Sequence, residues 1–366
     1  MSFSSREKVS SDGAAGKPLR VVAMGGGTGL STLLRGLKKY VLSPTEAATV
    51  QAGAKEFKPN IGELCAVVTV TDDGGSSGRL RKEFKMLPPG DVRNCIVALS
   101  GDEALLSRLF QYRFRAGSGL EGHNLGNLFL TALTEITGDF SQAVKESSEI
   151  LATRGHIYPA TTSNVELEAL MQDGTRVRGE TNITASKGRI GELRLVPGDV
   201  SPLPQTLEAI ANADLITIGP GSLFTSLVPN LLVHGIPEAI AASHAVKVYV
   251  CNLMTQANES LGLTAADHIR ALCKHAQSRI FDYALINGTE VSDEMKAKYA
   301  LEGASQIVND VEAIEAMGVR PVVGRYLDEG DVVRHAADRV ASDLMRIAFG
   351  AVPGDTQSAE KANARR

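Results

Sequence analysis

Tryptophan is absent from this 366-residue chain and aromatics together make up only 5% of it, so no platform exists on which the bases of a single-stranded nucleic acid would stack. Positive charge is not in excess. The 38 Lys and Arg against 42 Asp and Glu leave a net charge of −4, which excludes a surface built to neutralise nucleic-acid phosphates or to lie on anionic lipid. Cysteine is scarce: Cys65, Cys95, Cys251 and Cys273 form no CxxC pair and no metal-ligand spacing, and they read as buried thiols of a reducing compartment. No apolar run reaches the roughly 18 residues of a membrane span, and the opening MSFSSREKVSSDGAAGK lacks the apolar core of a signal peptide. The expectation is a cytoplasmic protein with no nucleic-acid partner and no membrane insertion.

Glycine is what the chain has in surplus, 36 residues, about ten more than a usual share of roughly 7% would supply. Residues 1–17 and 351–366 are small and polar and read as flexible tails around one nucleotide-binding domain over 18–350. Leu19 to Met24 reads as a buried strand, and Leu30, Leu33, Leu34 and Leu37 fall at helix spacing just after it. Residues 41–62, broken by Pro44 and Pro59, read as an insertion before the next strand, Leu64 to Val70. Helical periodicity over 101–152 suffices for two or three helices. Residues 163–198 then alternate in period two around Asp173-Gly174, the signature of an antiparallel hairpin excursion. Strands at Leu215–Ile218, Val246–Cys251 and Ala284–Ile286 alternate with helical stretches at 205–213, 223–233 and 265–275. Apolar strands alternating with helices predict an α/β, Rossmann-like, doubly wound and mainly parallel sheet.

Five motifs carry chemistry. Gly25-Gly26-Gly27-Thr28-Gly29 sits between strand and helix, where backbone N–H groups and the positive helix end favour a phosphate. It is not the dinucleotide fingerprint, since Leu30 stands in place of the third glycine, and it is not a P-loop. Strand two ends in Asp72-Asp73, followed by what reads as a flexible glycine loop, Gly74-Gly75-Ser76-Ser77-Gly78, and Arg79. Two carboxylates there suit holding Mg²⁺ against a diphosphate, deprotonating a hydroxyl or binding a sugar, with plain turn chemistry as the other reading. Neighbours on a strand point oppositely, so one of the two reaches a ligand. In PPGDVRN, Asp91 is an N-cap candidate, while Arg93 and Asn94 fall in the first turn of the next helix and could face the same pocket. His123, Asn124 and Asn127 open a further helix and could read a base or sugar. Gly219-Pro220-Gly221-Ser222, followed by Thr225, forms a second glycine loop after a strand, and two such loops on one parallel sheet could share a crevice and hold two ends of one nucleotide. Lys247 and the turn from Cys251 to Gln256 are expected at the same edge, and Asp331 to His335 reads as a solvated helix start that offers an Arg334-His335 pair.

Taken together, GGGTGLS, VTDDGGSSGR, PPGDVRN, EGHNLGNL, IGPGSLFTSLVPN, VCNLMTQ and DVVRH resemble, in that order, the gluconeogenesis factor family of bacteria, in a superfamily with 2-phospho-L-lactate transferase. The resemblance implies a Rossmann-like protein that binds UDP-sugars such as UDP-N-acetylglucosamine and serves cell shape and cell-wall homeostasis during growth on gluconeogenic carbon, with no reaction firmly attached. It implies that Gly26, Gly27 and Thr28 cradle the diphosphate, that Asp72, Asp73, His123, Asn124 and Asn127 line the pocket, and that Arg334 closes it. The weaker resemblance to the transferase implies the alternative, a Mg²⁺-dependent transfer of a phosphorylated group to a hydroxyl, with Asp72 and Asp73 as its catalytic pair. A homo-oligomer is expected. The chain departs from the family in its tails, in the 41–62 segment, and in Phe224 where tyrosine is common.

Overall fold

The computed structural model describes residues 17–43, 60–101, 104–186 and 188–351. Nearly all of the expected tails, and residues 44–59 of the expected 41–62 insertion, lie outside the described residues. The end of that segment is not insertion: Ile61 and Gly62 already belong to the second strand.

Seven parallel strands form the central sheet: β1 (Leu19–Gly25), β2 (Ile61–Val68), β3 (His156–Pro159), β7 (Leu215–Ile218), β8 (Val246–Val250), β9 (Tyr283–Asn287) and β10 (Arg320–Gly324), in the order β3-β2-β1-β7-β8-β9-β10. The chain builds outward from β1 to β3, returns to lay β7 against the other side of β1, and then builds outward the opposite way. Such a reversal leaves a crevice at the carboxyl ends of the two central strands. Every residue of β7 is buried, as is nearly all of β1, because helices cover both faces.

Leu30, Leu33, Leu34 and Leu37 give α1 (Gly27–Leu37) one apolar stripe, and all four are buried. Gly36 lets α1 approach the last helix, α14 (Ala337–Ala348), since a methyl there would lie 2.4 Å from the Ala337 carbonyl oxygen. The stretch read as a flexible glycine loop is a helix, α2 (Gly75–Phe84). It is followed by α3 (Gly90–Leu99), and the 101–152 periodicity resolves into α4 (Ala104–Gln111), α5 (Leu125–Thr137) and α6 (Phe140–Ile150).

The antiparallel excursion is present as β4 (Glu166–Met171), β5 (Arg176–Arg178) and β6 (Ile190–Val196), in the order β5-β4-β6. Its alternation puts Leu167, Ala169 and Met171 inside. On the outer face Glu166 pairs with Arg178, and Glu168 with Arg176 and Arg194. A short helix that periodicity did not announce, α7 (Glu180–Ala185), sits inside the excursion. Asp73 fixes it: its Oδ1 accepts from the Thr181 N–H at 2.9 Å and the Thr181 hydroxyl at 2.5 Å.

After β7 the expected helix over 223–233 is interrupted. A π-helical turn, Leu223–Leu227, precedes a single α turn, α9 (Val228–Leu231), with Pro229 at its start. The remaining helices are α8 (Pro204–Asn212), α10 (Ile236–Ala242), α11 (Ala265–His275), α12 (Asp293–Ala300) and α13 (Val311–Ala316). Asp331–His335 is not a helix start: β12 (Val333–His335) pairs antiparallel with β11 (Leu327–Glu329), and α14 begins only at Ala337. No single helix among the described residues is long and apolar enough to cross a membrane.

Leu34, on the apolar stripe of α1, is fully buried. Leu34→Ala is expected to cost about 2–5 kcal/mol of unfolding free energy in urea titration. A loss below about 1 kcal/mol would contradict the seating of α1 on the sheet.

Candidate functional site

At the sheet reversal lies a cavity of about 250 Å³, lined by Gly26–Gly29 from the end of β1, Pro220–Ser222 after β7, Asn252–Gln256 after β8, and Arg334 with His335 from β12. The two glycine loops therefore share one crevice. They touch: a methyl on Gly29 would lie 2.3 Å from the Pro220 carbonyl oxygen. Gly27 has φ +61° and Gly219 φ +85°, in the region that glycine adopts without a steric cost. Gly26 at the N-cap of α1 has no side chain to cap it, and beyond the Gly27 N–H, which Asp91 takes, the first turn of α1 presents backbone donors and a positive helix pole to the cavity.

The third wall is built by side-chain clamps. Asn252 Nδ2 donates to the Gly221 carbonyl at 2.8 Å while its Oδ1 accepts from the Gly221 N–H at 3.3 Å. Gln256 Nε2 donates to Ser222 Oγ at 2.8 Å. His335 Nε2 lies 3.0 Å from the Cys251 carbonyl, which makes that nitrogen the protonated one, and burial lowers the ring's pKa to about 4. A neutral imidazole thus supports the wall while exposed Arg334 supplies charge at the rim.

Next to this crevice, on the β2 side, stands a second group. Ser76 on α2 bonds His123 Nδ1 at 3.0 Å and accepts from the Asn124 N–H at 3.3 Å. Asn124 is the N-cap of α5, its Oδ1 accepting from the Asn127 N–H. Asn127 is 2% exposed and its Oδ1 has no partner among the described residues. Burial, together with Arg79 and Arg113, holds His123 below the usual imidazole range. Asp72 turns one oxygen onto the Gly74 N–H at 2.9 Å; the other faces Gly90, where a methyl would lie 2.8 Å away.

Asp91 joins the two groups. It is not an N-cap, since that position in α3 belongs to Pro89. Its carboxyl turns inward, accepting from the Gly27 N–H, and a methyl on Gly26 would lie 2.7 Å from its Oδ2. Burial raises its pKa to about 7, and the Asp72 charge adds to the rise against the opposing pull of the Gly27 N–H and Arg93. Glu180, delivered by α7, is pushed up to about 9 by burial and by Asp72, Asp91 and Asp73. Neither role has a local sequence signal: Asp91 reads in the sequence only as an N-cap candidate, and Glu180 lies in the antiparallel excursion.

Several expected residues are placed elsewhere. Thr225 is buried on the π-helical turn, and its N–H, with that of Phe224, donates to the buried carboxylate of Glu259 at 3.0 and 2.6 Å. That carboxylate fills the position an anionic ligand would take. Lys247 stands at the start of β8, the amino edge of the sheet, and its Nζ donates to the Ser243 carbonyl at 2.7 Å. The expectation that it shared the ligand edge is corrected by its four-residue distance from Cys251 along an extended strand, roughly 13 Å. Asp73 is occupied by Thr181, the Asp72 oxygen not bonded to Gly74 faces Gly90, and neither carboxylate lines the crevice. Arg93 packs on Gly126 and donates to Asn94 Oδ1 at 2.8 Å, and neither residue lines the crevice. Gly25 lies beneath it against Leu227, and Gly75 begins α2 at φ +46°.

For Mg²⁺ the donor set is thin. Among the described residues no three His, Cys, Asp or Glu side chains stand close enough to hold a metal ion. Mg²⁺ keeps its waters and leans on ligand phosphates with one or two carboxylates. The free oxygen of Asp72 fits it in that capacity.

Comparison with known proteins adds an independent line. Residues 21–327 match the family model described as 2-phospho-L-lactate transferase CofD. The chain is similar to the gluconeogenesis factor of Halalkalibacterium halodurans, 48% identical over 90% of this chain and 96% of that protein. It is also similar to the gluconeogenesis factor of Bacillus subtilis, 46% identical over 91% of this chain and 99% of that protein. A crystal structure of a Bacillus halodurans protein superposes with a TM-score of 0.83 at 47% identity, covering 90% of this chain and all of that one.

An acid whose pKa rises on folding holds its proton more tightly when folded, so Asp91 costs stability as pH climbs from 3.8 toward about 7. Asp91→Asn keeps an acceptor for Gly27 and removes the charge. Calorimetric melting is expected to show the variant more stable than the parent at pH 8 and within about 2 °C of it at pH 4. An equal gap at both pH values would exclude the titration.

Proposed function

Since the chain belongs to the 2-phospho-L-lactate transferase CofD family, alongside the gluconeogenesis factors, we propose that it binds a nucleoside-diphosphate sugar, UDP-N-acetylglucosamine or a close relative, in the crevice between its two glycine loops. The observation that carries this reading is the pairing of a glycine-rich helix start with a second glycine loop at the reversal of the sheet. Gly26, Gly27 and Thr28 take the diphosphate, with Arg334 at the rim. Asp72, His123, Asn124 and Asn127 hydrogen-bond the sugar or base. The chain then works as a cytoplasmic regulator that reports nucleotide-sugar supply to cell-shape and cell-wall homeostasis during growth on gluconeogenic carbon; this cellular role rests on the sequence resemblance alone.

A second reading has its own observation. The Asp91 carboxyl stands against the glycine loop, accepting from the Gly27 N–H, and burial pushes its pKa up to about 7, which suits a general base working next to a phosphate group. On that reading the chain transfers a phosphorylated group from a nucleoside-diphosphate donor to a hydroxyl. The hydroxyl oxygen bonds to the transferred phosphorus as the P–O–P bond breaks, the nucleoside monophosphate leaves, and Asp91 or Asp72 receives the hydroxyl proton; Asp72 would hold Mg²⁺, which would supply charge neutralisation to the phosphates.

Calorimetric titration of the full chain with UDP-N-acetylglucosamine is expected to give a Kd tighter than about 1 mM. Gly29→Ala, whose methyl intrudes on Pro220, should weaken it tenfold or more, about 1.4 kcal/mol. No heat at millimolar ligand would overturn the binding reading. Mg²⁺-dependent turnover of a nucleoside-diphosphate-linked donor that vanishes in Asp91→Asn would favour the second.

A further inference from the structure

The face of α1 that opens on the crevice continues past it. Thr28, Thr32, Arg35 and Lys39 succeed one another at spacings of four, three and four, so they form one stripe along the helix and the turn after it. Thr28 and Thr32 line the crevice; Thr32, Arg35 and Lys39 line a neighbouring cleft of about 800 Å³. Arg334 and His335 line both. The two cavities are therefore contiguous, with Arg334 on the shared wall.

Charge sets the cleft apart. Its walls carry Arg35, Lys38, Lys39, Arg154, Arg334 and Arg339 against only Asp328 and Asp338, in a chain whose net charge is −4. Three of these cations are engaged: Lys39 pairs with Asp338 at 2.6 Å, Lys38 donates to the Ser100 carbonyl at 2.9 Å, and Arg339 donates to the Arg325 carbonyl at 3.2 Å. The side chains of Arg35, Arg154 and Arg334 are exposed and have no acidic partner among the described residues. The negative pole of α1 accounts for cations at its own end, Arg35, Lys38 and Lys39. It does not account for Arg154, which arrives from the loop before β3, or for Arg334, which arrives on β12. Three guanidiniums from three parts of the chain converge on one cleft, and their mutual repulsion is relieved by an anion between them.

We propose that this cleft is a second anion site, which takes a phosphorylated small molecule on Arg35, Arg154 and Arg334 beside the ligand of the crevice. The planar guanidinium presents paired donors that match two phosphate oxygens. Helix rise sets Arg35 about 10 Å along α1 from Thr28, beyond the reach of a single diphosphate held at the glycine loop. Arg334 touches both compartments and couples their occupancy. The inference stands on the charge and geometry of the cleft and does not depend on which nucleotide enters the crevice.

Inorganic tripolyphosphate titrated into the full chain is the probe. Binding is expected in the parent, weakening as salt rises, and about tenfold weaker in Arg35→Glu/Arg154→Glu, since a charge-assisted hydrogen bond is lost at each position. Arg154→Lys, which keeps the charge, should retain part of it. UDP-N-acetylglucosamine binding should stay within about twofold in the double variant and weaken in Arg334→Ala. Parent protein that gives no heat at about 1 mM tripolyphosphate overturns the proposal. So does tripolyphosphate binding that ignores the double variant and disappears in Gly29→Ala, because the anion then sits in the crevice. Binding that persists with the crevice saturated by UDP-sugar supports a second molecule, and full competition overturns it. If the UDP-sugar does not bind at all, the nucleotide reading fails while the tripolyphosphate comparison between parent and double variant still decides this one.

Discussion

The contact between the first turn of α1 and the Pro220–Gly221 backbone governs the rest of the molecule. With a methyl on Gly29 placed 2.3 Å from the Pro220 oxygen, no side chain fits between the two segments. They leave neighbouring parallel strands, β1 and β7, so the sheet order brings them side by side and the missing Cβ lets them close. Asn252, from the next strand along, then holds Gly221 by both its N–H and its carbonyl. Backbone fixed in this way cannot rotate out of a ligand's path. The crevice is accordingly organised before anything binds, which lowers the entropy that binding must overcome.

A different force shapes the β2 side. Asp72, Asp91 and Glu180 arrive from a strand end, a helix start and the antiparallel excursion, and burial together with mutual repulsion raises the pKa of both Asp91 and Glu180. Asp73 gives up its own ligand-binding capacity to anchor α7 through Thr181, and that anchoring is what carries Glu180 toward the others. The excursion thus contributes to the site although its strands lie outside the central sheet.

Much of this was legible in the sequence where one periodicity dominates. The leucines of α1, the mainly apolar runs of β1, β2, β7, β8 and β9, and the Asp173-Gly174 turn each have a single reading, and the structure follows it. Edge strands were harder: β3 reads HIYP and β10 reads RPVVG, where proline and exposed positions erase the apolar signature. The glycines of α2 conceal a helix because its stability is tertiary. A methyl at Gly78 would lie 1.9 Å from the Asp73 carbonyl oxygen, so the glycine is there for close packing and not for flexibility. The helix after β7 lost its expected form to Glu259, whose carboxylate bonds the N–H groups of Phe224 and Thr225, a contact between residues that no local pattern links. Lys247 was misplaced for a simpler reason: strand periodicity gives the face a residue occupies but not which end of the strand lies at the ligand edge.

Positive and negative groups meet at one loop. Arg334, the helix pole of α1 and the cleft beyond Thr32 place positive charge along one flank of the crevice. Asp91, which accepts from the Gly27 N–H and crowds Gly26, sets a carboxyl against the same glycine loop, although it does not line the crevice. Burial and the Asp72 charge already push its pKa up to about 7. An anion held at that loop would add a further negative charge beside the carboxyl and raise its pKa again. By linkage, the protonated form of Asp91 then favours the anion by the same free energy.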